Sequence, residues 1–279
     1  MVSNEIVEHI EKMALKIRLD ILEMIGIGKV GHLGGSSSCA DIVATLYFYK
    51  MKFDPNNLKW EYRDRFLLSK GHAALAQYAA LAELGIIPRE ELKKLKTLGA
   101  MLQGHPDMRK TPGIEANTGS LGQGLSIAVG MALGLKLDRK ESKVYVIVGD
   151  GELAEGQIWE AVMAASNYKL DNLIAFIDNN GLQATGPIKD RFNIYPIVPK
   201  WEAFGWYVKE IDGHNIREII EALEDIDNIR EKPKVIIAKT VKGKGFSFAE
   251  NNPAFHNGAL TEEQFLQAKK ELKALLISR

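Results

Sequence analysis

A single cysteine, Cys39, stands in the 279 residues, and it excludes both an intramolecular disulfide and any zinc cage built on thiolates. An excess of one charge is also missing, since 36 lysines and arginines face 36 aspartates and glutamates. Nothing global therefore draws the chain to nucleic acid or to an anionic membrane. No apolar run approaches the ~18 to 20 residues of a membrane span, and the segment 1–11 carries charges where a signal peptide places its apolar stretch. Aromatic residues make up only 8%. These absences describe a soluble chain expected in a reducing, cytoplasmic setting. What is present is 46% hydrophobic residues in a chain that can bury a core without staples. One large α/β domain or two small ones are both compatible with this length.

Apolar residues at Ile6, Ile10, Met13, Ile17, Ile21 and Met24 recur at steps of four and three, which predicts a helix over 6–24. The run 31–38 is rich in glycine and serine and reads as a turn. A second helix is expected over 41–49, a short strand over 65–69, and helices over 73–84 and 90–98. Downstream the pattern is more regular. A β-branched run at 143–149 reads as a strand, further strands are expected at 173–178, 206–211 and 234–239, and helices at 155–168, 200–204, 215–226 and 261–276. Strand and helix in alternation imply an α/β fold, a parallel sheet with helices on both faces. Such a sheet binds ligands beyond the carboxyl ends of its strands.

Four of the six histidines directly follow a glycine: His32, His72, His105 and His214. Glycine allows sharp turns and close backbone approach, so the pairs suggest imidazoles displayed from loops, able to donate, accept or shuttle protons. A water-facing turn is the plain alternative for any one pair. For His214 it is the preferred reading, because Asp212-Gly213 is an ordinary strand exit and Asn215 an ordinary helix cap. His9 sits in a charged helix and reads as solvated.

Asp150 follows one expected strand and Asn180 the next, one strand–helix–strand unit later. A right-handed crossover brings both side chains to the same sheet edge, where neighbouring strands lie ~4.8 Å apart. One carboxylate and one amide oxygen suit Mg²⁺, which completes its shell with waters and substrate phosphates. Gly151 removes a side chain where a phosphate would approach. Two unrelated strand-end turns are the competing reading. The run 117–124 lacks both the preceding strand of a dinucleotide fingerprint and the lysine of a Walker loop. It reads as a glycine-rich helix entrance whose amides face a polar ligand, or simply as close helix packing by Gly119, Gly122, Gly130 and Gly134. Lys242 leaves another strand end and either reaches an anion or is solvated. Glu155 and Glu160 either complement a helix dipole or serve a partner.

Taken together, Gly31-His32, Leu68-Ser69-Lys70-Gly71-His72-Ala73, Gly104-His105-Pro106, Thr118-Gly119-Ser120-Leu121-Gly122-Gln123-Gly124, Gly149-Asp150-Gly151-Glu152-Leu153, Asn180-Gly181-Leu182 and His256 stand in the order found in transketolases. Along nearly its whole length the chain resembles the N-terminal, diphosphate-binding region of that family. The resemblance implies one thiamin diphosphate-binding domain over 1–279. It implies thiamin diphosphate with Mg²⁺, or another divalent cation such as Ca²⁺, held by Asp150, Asn180 and the backbone oxygen of Leu182. Ser38, His72, Gly119, Ser120, Leu121, Gly151, Lys242 and His256 match family positions that contact the cofactor. Glu155, counted with them, and Glu160 match acids of a carboxylate network between the two cofactor sites of a dimer. His32, His105 and His256 match positions lining the sugar channel, and with His72 they form the implied catalytic set.

The resemblance also carries departures. A full transketolase continues into a pyrimidine-binding domain and a C-terminal domain, and the glutamate that activates the aminopyrimidine lies in the former. The chain therefore looks like the N-terminal subunit of a split transketolase. Its implied partner is a C-terminal subunit, in a heterotetramer acting on sugar phosphates, with no role for nucleic acid or membrane. Leu33 replaces the proline of many relatives, Gly35 replaces a serine of some, and His256 leads into Asn257-Gly258-Ala259-Leu260 in place of the usual His-Gly-x-Pro-Leu. A diphosphate-binding subunit of a 2-oxo acid dehydrogenase or related synthase, and a non-catalytic cofactor-binding module, remain alternatives.

Overall fold

The computed structural model describes residues 2–278. The first periodic run is helix α1 (Asn4–Ile25), opened by the Ser3 hydroxyl, which accepts from the Ile6 amide, and closed at Gly26. Its stripe buries Ile10, Ile17, Ile21 and Met24, as the spacing requires. After the short strand β1 (Val30–Gly31) comes a departure from expectation. The run read as a turn is helix α2 (Leu33–Ser38), every residue of which is buried. Ser36 Oγ donates to His32 O at 2.7 Å and Ser37 Oγ to Leu33 O at 2.9 Å, so these hydroxyls are satisfied within the helix itself. Tertiary burial here overrides weak helix propensity. Helix α3 (Ala40–Thr45) widens into a π turn over Leu46–Lys50, where one regular helix was expected.

Strand β2 (Arg65–Leu68) leads to helix α4 (Ala74–Glu83), and the helix expected over 90–98 is only a 3₁₀ segment, Arg89–Lys94. Helix α5 (Gln123–Leu137), strand β3 (Val144–Gly149), helix α6 (Gly156–Asn167) and strand β4 (Leu173–Asn179) follow as the pattern predicts. A small hairpin, β5 (Leu182–Gln183) with β6 (Gly186–Pro187), precedes helices α7 (Ile188–Arg191) and α8 (Val198–Ala203). Strand β7 (Tyr207–Asp212), helix α9 (Ile216–Asp225) and strand β8 (Lys234–Lys239) complete the alternation. Strand β9 (Gly258–Ala259) pairs with β1, and helix α10 (Glu262–Ile277) opens on a capping box at Thr261.

The main sheet runs β2-β3-β4-β8-β7, with every neighbouring pair parallel. The central strands β3, β4 and β8 are apolar along most of their length because both faces are covered, whereas the edge strand β7 carries Lys209, Glu210 and Asp212. Tyr145, Ile147, Ile174, Phe176 and Ile236 pack into one hydrophobic cluster with α1, α3, α4 and α9. The alternate residues Val144, Val146, Ala175, Ile177 and Val235 pack into another with α5, α6 and the Trp201–Trp206 pair. One parallel sheet therefore sends the residues after β2, β3, β4, β8 and β7 to a common carboxyl edge. Among the described residues no helix is long and apolar enough to cross a membrane.

Candidate active site

At that edge β3 delivers Asp150 and β4 delivers Asn180. Asp150 Oδ2 accepts from Gly181 N at 2.5 Å and Oδ1 from Gly151 N at 2.8 Å, which locks the two strand ends together. Asn180 Oδ1 accepts from Leu182 N at 3.1 Å, and its Nδ2 donates to Asp178 Oδ2 at 3.3 Å. Asp150, Asn180 and Leu182 line one cleft of about 170 Å³, together with His72, Lys242 and His256. Burial, reinforced by the nearby charge of Asp178, pushes the Asp150 carboxyl up to about 7. Opposite it, Lys242 donates from Nζ to Leu182 O at 2.9 Å, and burial beside Lys70 pulls its ammonium down to about 8.

Beneath the cleft lies an ion pair that the sequence patterns do not reveal. Lys70 Nζ meets Asp178 Oδ2, with both side chains almost wholly buried. Asp178 also accepts from Ser38 Oγ at 2.6 Å and from the Thr240 hydroxyl, while Lys70 Nζ donates to Gly35 O at 2.6 Å. Burial opposes ionisation of Asp178, yet Lys70 and the two hydroxyls hold its carboxyl below the usual range. Glu152 is likewise a residue that sequence reasoning does not single out. It accepts from Ser69 Oγ at 2.5 Å, Gly122 N at 2.8 Å and Gly149 N at 3.2 Å, tying β2, β3 and the entrance of α5 together.

Four imidazoles gather over the mouth. The His32 ring lies 5.3 Å from His72, 6.0 Å from His105 and 5.5 Å from His256, and His72 lies 5.0 Å from His256. Burial lowers His32 to about 4, with Lys96 adding to the shift, and lowers His256 to about 4, with Lys242 adding. It lowers His72 to about 2, helped by Lys70. Partial burial and Lys96 lower His105 as well. All four are therefore neutral at physiological pH and can donate or accept. His32 Nδ1 and His256 Nδ1 are buried without a hydrogen-bond partner. Bare backbone makes room for the rings: a Cβ on Gly35 would come 3.2 Å from His72 Nε2, and one on Gly119 2.9 Å from His105 Cδ2.

Other sequence-predicted residues fall elsewhere. Ser38 is fully buried with its hydroxyl committed to Asp178, so it supports the floor and does not face the cleft. Leu121 and Gly151 line the cleft, whereas Gly119 underlies His105 and Ser120 is exposed beside it. The Gly122 amide is taken by Glu152 and does not face a ligand. Glu155 and Glu160 are exposed on the outer side of the α6 entrance, outside the cleft lining. A Cβ at Gly130 or Gly134 would meet nothing within 4 Å, so these glycines mediate no close packing within this chain. His214 is no idle turn residue: its Nδ1 lies 2.7 Å from Asp41 Oδ2, and its Nε2 accepts from Val241 N at 2.8 Å.

The donor chemistry fits a hydrated divalent cation and a diphosphate. Among the described residues no group of three or more histidines, cysteines and acids could hold a metal ion, which is not what Mg²⁺ or Ca²⁺ needs. One carboxylate, one amide oxygen and one backbone carbonyl are hard donors, with ligand phosphates completing the shell. Asp150, whose buried charge is penalised, gains from a cation. Lys242, a buried ammonium, gains from an anion.

Comparison with known proteins follows the same line. The family model described as transketolase, thiamine diphosphate binding domain, matches residues 10–274. The chain is 50% identical over 264 residues to the 6-deoxy-6-sulfo-D-fructose transketolase subunit of Clostridium sp. (strain MSTE9), covering 95% of this chain and 96% of that one. It is 43% identical over 266 residues to an apulose-4-phosphate transketolase subunit of Phocaeicola vulgatus, covering 95% and 94%. The solved transketolase of Leishmania mexicana superposes with a TM-score of 0.89 at 31% identity, covering 98% of this chain but 42% of that one.

Proposed function

Since the chain belongs to the transketolase family through its thiamine diphosphate binding domain, we propose that it is the diphosphate-binding N-terminal subunit of a split, cytoplasmic transketolase. In this reading it forms a single domain and works with a second chain that carries the pyrimidine-binding domain, in a heterotetramer. The reaction is transfer of a two-carbon ketol unit from a ketose phosphate to an aldose phosphate. The observation that carries the reading is the pairing of Asp150 and Asn180 at adjacent strand ends in the cleft that also holds Lys242, His72 and His256. The coverage of relatives supports the split. Two transketolase subunits match end to end, while the chain spans less than half of the solved full-length enzyme.

Asp150, Asn180 and the Leu182 carbonyl would hold Mg²⁺, and Lys242 would receive the diphosphate, with Gly151 leaving it room by having no side chain. Thiamin diphosphate, when bound, supplies the nucleophilic carbon and electron sink for breaking a bond next to a carbonyl. This chain's own part is to position and to move protons. His32, His72, His105 and His256, neutral and clustered, offer nitrogens to sugar hydroxyls and carry protons to and from them. Lys96, whose Nζ donates to Val30 O at 3.0 Å, places a cation beside His32 and His105. The two subunit-length relatives are named for a sulfonated and a phosphorylated ketose, and a cation at the mouth suits such an anionic tail.

The test is a reconstituted assay with thiamin diphosphate and Mg²⁺. The chain alone should show no turnover, and adding the partner subunit should start ketol transfer between a ketose phosphate and an aldose phosphate. Asp150→Asn should abolish it and weaken metal-dependent cofactor binding in calorimetry. Substantial turnover by the single chain, or turnover of 2-oxo acids in place of sugar phosphates, would overturn the proposal.

A further inference from the structure

Arg18 on α1, Asp41 on α3 and His214 in the turn between β7 and α9 meet behind the segment that carries Lys242. Arg18 Nη1 donates to Asp41 Oδ1 at 3.0 Å and Nη2 to Asp41 Oδ2 at 2.5 Å, a two-point grip with both side chains buried. The same guanidinium donates from Nε to Lys244 O at 3.0 Å and from Nη2 to Ser37 O at 3.2 Å. On its other side the Asp41 carboxylate lies 2.7 Å from His214 Nδ1. His214 Nε2 in turn sits 2.8 Å from the Val241 amide nitrogen.

These contacts dictate the tautomer. A backbone N–H only donates, so Nε2 is the acceptor and the ring proton resides on Nδ1, where the ionised Asp41 receives it. Residues 241 and 244 bracket Lys242, so the network holds the main chain on both sides of that lysine. Two further bonds complete the clamp: Gly243 N donates to Gly34 O at 3.1 Å and Asn251 N to Lys242 O at 2.8 Å. The lysine stem lies flat on bare backbone, since a Cβ on Gly34 would come 3.0 Å from Lys242 Cγ. Its buried ammonium ends at Leu182 O. A buried lysine has many rotamers to lose, and the clamp fixes the main chain from which its side chain starts.

We propose that His214 is a positioning residue for Lys242: its Nδ1–H tautomer, oriented by Asp41 and Arg18, grips the Val241 amide and thereby aims the Lys242 ammonium at the anionic end of the bound ligand. The inference rests on the reading of the cleft as a diphosphate site. His214 touches neither substrate nor cofactor. Its effect passes through the backbone of 241–242, which separates it from a residue that merely stabilises the fold.

The test is a mutant cycle on the full chain with its partner, read by calorimetric affinity for thiamin diphosphate in saturating Mg²⁺. Loss of one buried hydrogen bond should make His214→Ala bind roughly tenfold more weakly. His214→Gln, which restores a donor and an acceptor, should recover most of that loss. In a Lys242→Ala background, His214→Ala should add less than about twofold, because the two residues act on the same contact. Unchanged affinity in His214→Ala, or a full additional loss in the Lys242→Ala background, overturns the proposal. Should His214→Ala fail to fold, nitrogen-15 spectra of the unmutated chain decide: a proton on Nδ1 with a slowly exchanging Val241 amide supports it, and a proton on Nε2 overturns it. If the unmutated protein binds no thiamin diphosphate at all, the functional reading fails, while the tautomer measurement still judges the clamp.

Discussion

Lys70 and Asp178 form a buried ion pair under the cleft, the one 3% and the other 0% exposed at the side chain, joining the end of β2 to the end of β4. Removing one partner strands a charge where water cannot reach it. Lys70→Met should therefore cost ~3–5 kcal/mol of unfolding free energy. The double variant Lys70→Met/Asp178→Asn should be less damaged than the sum of the single changes, because neither residue then leaves a lone charge. Guanidinium denaturation of the four proteins checks this. A purely additive result would mean that the pair contributes no coupling.

Two glycines of similar appearance in the sequence should respond in opposite directions. A Cβ on Gly71 would lie 2.6 Å from the Thr118 carbonyl carbon and 2.7 Å from Gly119 N, both backbone atoms that cannot step aside. Gly71→Ala should cost ~1–3 kcal/mol and displace the turn under His105. Gly130 lies inside α5 with open space around it, so Gly130→Ala should stabilise the isolated chain by ~0.5–1 kcal/mol. Thermal melts of both variants provide the comparison.

The contrast shows which parts of the molecule are legible in sequence. Strands β3, β4 and β8 are readable because each is a short apolar run, β-branched in β3 and in the middle of β8, and the Asp150–Asn180 site follows from the length of one crossover. Helix α2 is not readable, since glycine and serine signal a turn until burial and back-bonding hydroxyls overrule them. Lys70 lies inside the motif running from Leu68 to Ala73, and Asp178 is an acid ending an otherwise apolar strand. That acid is a usable signal, but its partner lies 108 positions away. His214 reads as a turn residue for the same reason: its contacts, Asp41 and Val241, are 173 and 27 positions distant. Local patterns reveal elements and strand ends, whereas buried polar pairing is a property of the assembled sheet.

The histidine cluster should be silent in the usual imidazole range. With folded values of about 4 against the ordinary 6.5, His32 and His256 stay neutral while the unfolded chain takes up protons. Their contribution to stability is thus fully present above pH 6.5 and is lost as the pH falls towards 4. Proton NMR of the isolated chain should show their ring signals unmoved between pH 8 and about 5. Midpoints near 6.5 for both would show that the rings are open to water.

Asp20 should act with the opposite sign. Its carboxyl on α1 is 4% exposed, and Oδ2 is buried without a hydrogen-bond partner. Burial raises it from 3.8 to about 7; Arg89 pulls it down, but its side chain is 57% exposed, and Glu83 nearby pushes it up again. Between those two values the folded chain holds a proton that the unfolded chain has released. The stabilisation is therefore complete below pH 3.8 and disappears as the pH rises through about 7. Asp20→Asn keeps the shape and the Arg89 contact but has nothing to ionise. Its melting temperature at pH 8 should accordingly exceed that of the unmutated chain by several degrees, the gap narrowing as the pH falls below about 7 and closing only below pH 3.8. Because the histidines weaken the fold in the acid direction in both proteins alike, the difference between the curves isolates Asp20. Parallel curves would place its ionisation below the range tested and assign its charge to the Arg89 contact.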